Sequence, residues 1–179
     1  MRVLGVDPGL TRCGVGVIEG TPGRPPTLVA AGVIRTPSGD PLPERLVAIE
    51  RGLIEWLGEY TPDVVAVERV FADQNVLSVI GTAQAAGIAM LVAARRGVPV
   101  HTHTPTEVKA SISGSGRADK AQVGKMVARI LALKEPPKPA DAADAVALAI
   151  CHLWRGGGAE RIAAAVAKQA ARQQPRRPA

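Results

Sequence analysis

The sequence predicts an α/β fold built on one mixed sheet, three antiparallel strands followed by parallel ones, with helices on its faces. Three observations carry this. Residues 1–36 hold three short apolar runs separated by turns rich in Gly and Pro, with no helical period. From 41 onward, stretches with helical spacing alternate with apolar strands. The run at 63–68, Asp-Val-Val-Ala-Val-Glu, is apolar almost throughout, as central strands covered on both faces are.

Each element follows from its local pattern. The runs 3–6 and 15–18 fold back on each other through Pro8, Gly9 and Gly14, and 27–36 adds a third strand after the turn at 20–26. Leu46, Ile49, Leu53, Ile54 and Leu57 then recur at helical spacing within 41–60, with Pro43 near the start and Pro62 past the end. The segment 74–96 is helical and apolar nearly all round, with Gly81, Ala83, Ala85, Ala86, Gly87 and Ala89 among larger apolar residues. Such a helix needs cover on two sides. One side packs on the sheet, and the other is expected to meet a second copy of the chain, giving a homodimer through 74–96. A strand at 98–103 leads to a short helix around Glu107 and Lys109 and a loop at 111–117. Asp119 and Gln122 resemble a capping pair ahead of Val123, Met126, Val127, Ile130 and Leu131. Pro136, Pro137 and Pro139 precede a last helix at 141–154.

With 179 residues and 46% apolar content, the chain is expected to form one domain, 1–155, followed by a basic disordered tail, 156–179. The tail holds a net +4 of the chain's +6, leaving +2 on the body, so an anionic partner is credible. No stretch is long and uncharged enough to span a bilayer, and the N-terminus lacks the pattern of a signal peptide. The expected location is the cytoplasm, with no membrane association. Cys13 and Cys151 stand far apart without a Cys-x-x-Cys pair, which favours reduced buried thiols over a disulfide or zinc site. His101 and His103 alternate on one strand without a third ligand nearby, and are read as ordinary strand residues.

Four carboxylates carry the functional reading. Asp7 and Glu68 each end an apolar strand, where burial costs several kcal/mol unless something compensates it. Asp141 and Asp144, three apart, project from one face of a helix start. Taken singly, Asp7 suits a turn and the helix pair suits the helix dipole. Together they would repel unless hard divalent cations relieved them, and two Mg²⁺ ions ~4 Å apart are standard machinery for phosphodiester hydrolysis. Mn²⁺ could replace Mg²⁺. Acid chemistry with a basic overall charge points to nucleic acid as substrate. Phe71, the one phenylalanine, lies in a polar run and suits stacking on an unpaired base, with a staple at the next helix as the bland alternative.

Asp7-Pro-Gly with a glycine-rich strand behind it, Glu68-Arg-Val-Phe71, Val108-Lys109, Ala118-Asp-Lys120 and Asp141-Ala-Ala-Asp144 resemble, in this order, the RuvC family of Holliday junction resolvases. The resemblance covers 1 to about 155. It implies a ribonuclease H-like fold, a homodimer, and Mg²⁺-dependent resolution of four-way DNA junctions by symmetric nicks in two strands of like polarity, with RuvA and RuvB as branch-migration partners. By the same resemblance Asp7, Glu68, Asp141 and Asp144 are the catalytic, metal-binding acids, Phe71 stacks on bases near the crossover, and Lys109 and Lys120 lie near the scissile phosphate. Arg69 and Arg117 flank matched positions and are candidate phosphate contacts. Competing readings are an RNA-directed nuclease of the same fold and a non-catalytic junction-binding protein. An actin-like ATPase would need a second Asp-x-Gly domain, for which the chain is too short.

Overall fold

The computed structural model describes the backbone of residues 1–21, 23–70 and 76–173, and the side chains of these except 76–78 and 157–173. Five strands form one sheet: β1 (Arg2–Asp7), β2 (Arg12–Glu19), β3 (Thr27–Arg35), β4 (Val64–Glu68) and β5 (Val100–His103). Their order is β3-β2-β1-β4-β5. β1 pairs antiparallel with β2 and β2 with β3, while β4 runs parallel to both β1 and β5. The expected meander followed by parallel strands is thus the observed topology.

Helices α1 (Leu42–Tyr60) and α2 (Val76–Arg95) cover one face of the sheet. Helices α3 (Pro105–Ser113), α4 (Lys120–Ile130) and α5 (Ala140–Gln173) cover the other. Alternation along the strands sorts the side chains between these layers. Leu4, Val6, Val15, Val17, Val65 and Val67 pack toward α1 and α2, while Val3, Ile18, Val64 and Ala66 pack toward α5. Asp7 and Glu68 continue the second series, so the pleat turns both carboxylates to the α5 side.

Helix starts follow their caps. Asp119 accepts from the backbone N–H of Gln122, whose side chain accepts from the Asp119 N–H, as the sequence predicts for α4. Thr104 and Glu107 make the same reciprocal pair at α3. The last helix differs from expectation. It continues past Trp154 to Gln173, through part of the segment read as a disordered tail. The alanine-rich residues beyond 156–158 favour helix, and no proline intervenes before Pro175.

Helix α5 lies unusually close to the sheet. Gly5 and Gly16 face each other across the β1–β2 pair, and Asp7 faces Gly14. A Cβ on Gly5 would fall on the carbonyl oxygen of Ala145, and one on Gly14 would fall on that of Asp141. Backbone therefore packs on backbone, which only glycine permits here. Gly14→Ala is expected to cost about 3 kcal/mol in urea unfolding, because the obstructing atom is rigid main chain. Gly39→Ala, whose added carbon meets nothing within 4 Å, should leave the midpoint unchanged.

Candidate active site

Asp7 and Glu68 end two neighbouring parallel strands, in register one residue beyond the Val6–Val67 pair and on the same face. Asp144 reaches them from the first turns of α5, which the glycine floor of β1 and β2 holds in place. These three carboxylates line a cavity of about 220 Å³, together with Lys109 from α3 and Lys120 from α4. Pro105, Val108, Val123 and Ala147 supply its apolar wall.

The fourth acid stands beside this cavity and is not among its lining residues. The Nε of Arg12 donates to the Asp141 Oδ2 at 2.6 Å, and its Nη2 pairs with the same oxygen at 2.5 Å. Lys120 donates from Nζ to the Asp144 Oδ2 at 3.0 Å. Asp141 and Asp144 thus each carry a basic partner. Asp7 and Glu68 stand deeper, at the strand ends, with no basic partner at ion-pair distance from either carboxylate among the described residues.

The electrostatics follow from that placement. Burial, then the charges of Glu68 and Asp144, push the Asp7 carboxyl from 3.8 up to about 8, against the opposing pull of Lys120. Glu68 is raised as well, first by burial and next by Asp144, while its hydrogen bond with Asp7 works the other way. The bond and charge of Asp144 raise Lys120, which keeps its ammonium firmly protonated. A set of crowded carboxylates that resists ionisation is chemically suited to a hard divalent cation, whose charge would reverse the penalty. Among the described residues, no three His, Cys, Asp or Glu side chains are arranged as a ready metal cage. Arg12 and Lys120 engage two of the four acids in ion pairs.

The remaining candidates divide. Arg69 follows Glu68 at the end of β4, where its Nη2 donates to Thr102 Oγ1 at 3.3 Å, and the two line a second cavity with Ala83, Ala86 and Met90. Arg117 lines another depression, with Ser113, Ser115 and Gln122. Neither lines the acid cavity. Phe71 lies outside the described residues. Arg12 was missed by sequence reading; 129 positions separate it from Asp141, and a lone arginine after a turn carries no local signal.

His101 and His103, read as ordinary strand residues, stack against a third histidine that no pattern announced. His152 is fully buried on α5, with ring centroids 4.8 Å from His101 and 5.2 Å from His103. Its Nδ1 lies 3.0 Å from the Nε2 of His103. Burial pulls His152 down to about 4 and lowers His103 too.

The family model described as crossover junction endodeoxyribonuclease RuvC matches residues 3–152. The chain belongs to the RuvC family. The crossover junction endodeoxyribonuclease RuvC of Thermobifida fusca is 68% identical over 165 residues, 92% of this chain and 91% of that protein. The protein of the same name from Streptomyces avermitilis is 65% identical over 172 residues, covering 96% and 98% of the two chains. Among solved structures, T. thermophilus RuvC in complex with Holliday junction substrate superposes with a TM-score of 0.84 at 34% identity, covering 89% of this chain and 96% of that one. The five-stranded mixed sheet with helices on both faces is accordingly the ribonuclease H-like fold of RuvC.

Two groups give the fold opposite responses to pH. Because the folded chain favours neutral Asp7, that group supports the fold fully below about pH 4 and withdraws support as pH rises through about 8. Asp7→Asn is therefore expected to stabilise the metal-free protein at pH 8 by on the order of 2 kcal/mol in urea unfolding, with the gain vanishing near pH 4. His152 is depressed from 6.5 to about 4, so its support is complete above 6.5 and lost as pH falls through 4. Relative to His152→Gln, the wild type should lose on the order of 2 kcal/mol across that window.

Proposed function

We propose that two copies of this chain resolve four-way DNA junctions by paired, symmetric, Mg²⁺-dependent nicks, in homologous recombination and DNA repair. The observation that carries this reading is the joint cavity of Asp7, Glu68, Asp144, Lys109 and Lys120 in a member of the RuvC family. Carboxylates alone would repel a phosphodiester. Their pairing with two lysines in one small cavity makes sense when a cation offsets the acids and the lysines meet the phosphate.

RuvC is a family of metal-dependent nucleases, and this donor set suits its metal. Asp7, Glu68 and Asp144 offer hard oxygens at the cavity, with Asp141 adjacent. Two Mg²⁺ ions, or Mn²⁺ in their place, would supply Lewis-acid activation of water and stabilise the leaving oxygen. The protein's own part is placement. The strand ends fix Asp7 and Glu68, the glycine-seated helix fixes Asp144, and Lys120 and Lys109, lining the same cavity, would offset the charge that grows on the phosphate during attack. The apolar wall at Val108 and Val123 lowers the local dielectric and strengthens each of these interactions. Phe71 serves to stack on bases near the crossover, and Arg69 and Arg117, off the cavity, would contact more distant phosphates.

Homodimer formation through α2 is supported by its surface. Ile80, Met90 and Leu91 are exposed, at 48%, 39% and 43%, while Ala85, Ala86, Ala89 and Ala93 are buried toward the sheet. A helix apolar on both sides is completed by a second copy. Two sites related by a two-fold axis match the symmetry of a junction and would place the cuts in strands of like polarity. RuvA and RuvB are the partners this role calls for. Among the described residues no helix is long and apolar enough to cross a membrane; the proposed place of action is on DNA in the cytoplasm.

The test sets a mobile four-way junction beside a linear duplex and an RNA–DNA hybrid of the same sequence, with Mg²⁺ or EDTA. Paired nicks in the junction alone are expected, abolished by EDTA and by Asp7→Asn while junction binding persists. Lys120→Ala should slow cleavage by about 10²-fold with junction affinity little changed. Cutting of the hybrid in preference to the junction would make the substrate RNA, and binding without cleavage under Mg²⁺ and Mn²⁺ would leave a binding protein.

A further inference from the structure

Asp141 is the one candidate acid that does not line the cavity, and the structure supplies the reason. Its Oδ2 accepts both the Nε and the Nη2 of Arg12, at 2.6 and 2.5 Å. Arg12 is the first residue of β2 and Asp141 lies in the first turn of α5. Their main chains are fixed against each other at Gly14, where the Asp141 carbonyl oxygen occupies the space a side chain would need. Only the two side chains are free to part. The Arg12 side chain is 41% exposed and that of Asp141 28%, so solvent offers the guanidinium somewhere to go.

We propose that Arg12 is a positioning residue that holds Asp141 away from the cavity and competes with the divalent cation for its carboxylate, so that it sets the affinity of the site for metal. This rests on the metal-dependent function proposed above. Three physical points lead to it. An oxygen accepting two charge-assisted N–H bonds has little left for a cation that needs direct contact at ~2.1 Å. A guanidinium at that distance repels a divalent ion bound nearby. Arginine cannot shed its proton to make room, so it yields by moving. Lys120 bears on Asp144 in a similar way, but Lys120 also lines the cavity where substrate is expected. Arg12 does not line it, so its influence on the metal can be separated from substrate contact.

The inference is tested without DNA or turnover, by electron paramagnetic resonance of free Mn²⁺ titrated against the full chain. Arg12→Gln is expected to bind Mn²⁺ about two- to fivefold more tightly than wild type, the range an exposed ion pair can account for. Arg12→Lys keeps the charge without the two-pronged contact and should lie between them. In an Asp141→Asn background, Arg12→Gln should bring no gain, because the carboxylate it competes for is gone. Unchanged or weaker Mn²⁺ binding by Arg12→Gln, or an equal gain in the double variant, overturns the inference and leaves the proposed function standing. Wild-type protein that binds no Mn²⁺ overturns both.

Discussion

Helix α5 can bring carboxylates to Asp7 because its backbone lies directly on the backbones of β1 and β2, with glycine at the points of contact. Gly5 accepts the turn at Ala145 and Gly14 the turn at Asp141. A side chain at either position would lift the helix by roughly the width of a methyl group. That small a shift suffices to separate Asp144 from Asp7 and Glu68, whose own places are set independently by the β1–β4 pairing. The contact is thus both a packing feature and the alignment of the site. It also buries much of α5: Ala142, Ala145, Val146, Leu148, Ala149 and Ile150 are all fully or almost fully enclosed.

Alignment creates an electrostatic problem that the fold only partly answers. Burial and mutual repulsion leave Asp7 at about 8 and raise Glu68, so the folded chain without metal holds acids in a place they oppose. Two compensations are visible. Lys120 pairs with Asp144 from within the cavity and Arg12 pairs with Asp141 from outside it. Neither is paired with Asp7, which feels Lys120 only as an opposing charge weaker than burial and the acids around it. The unfavourable term that remains is largest at the innermost acid, and a cation there would relieve it most. Function and stability are in tension at this point, as they commonly are at active sites.

Much of this was legible in the sequence, and the misses have physical causes. Short apolar runs between turns rich in Gly and Pro located the strands and placed Asp7 and Glu68 at their ends, since an apolar run that stops on a carboxylate has few structural uses. Asp119 and Gln122 announced α4 because a capping box is a local interaction, written within four residues. Arg12 and His152 were not legible, because what matters about each is a contact made across the sheet, with Asp141 and with His103 respectively. The helix expected over 141–154 runs on to Gln173, since helix formation sums over the whole alanine-rich segment.

The two layers of the molecule divide its work. The acids and lysines lie between the strand ends and the α3–α4–α5 layer, whereas the exposed apolar face of α2 belongs to the opposite layer. The two layers meet at Glu68, which lines the acid cavity on one side and, with Ala83, Ala86 and Met90 of α2, a second cavity on the other. A second copy docked on α2, as proposed above, would therefore press on the strand that carries Glu68, whereas Asp144 rests on the glycine contacts of β1 and β2 and lies in the other layer. Pairing of the strands holds Glu68 beside Asp7 against such a push, since β4 is bonded to β1 on one side and to β5 on the other.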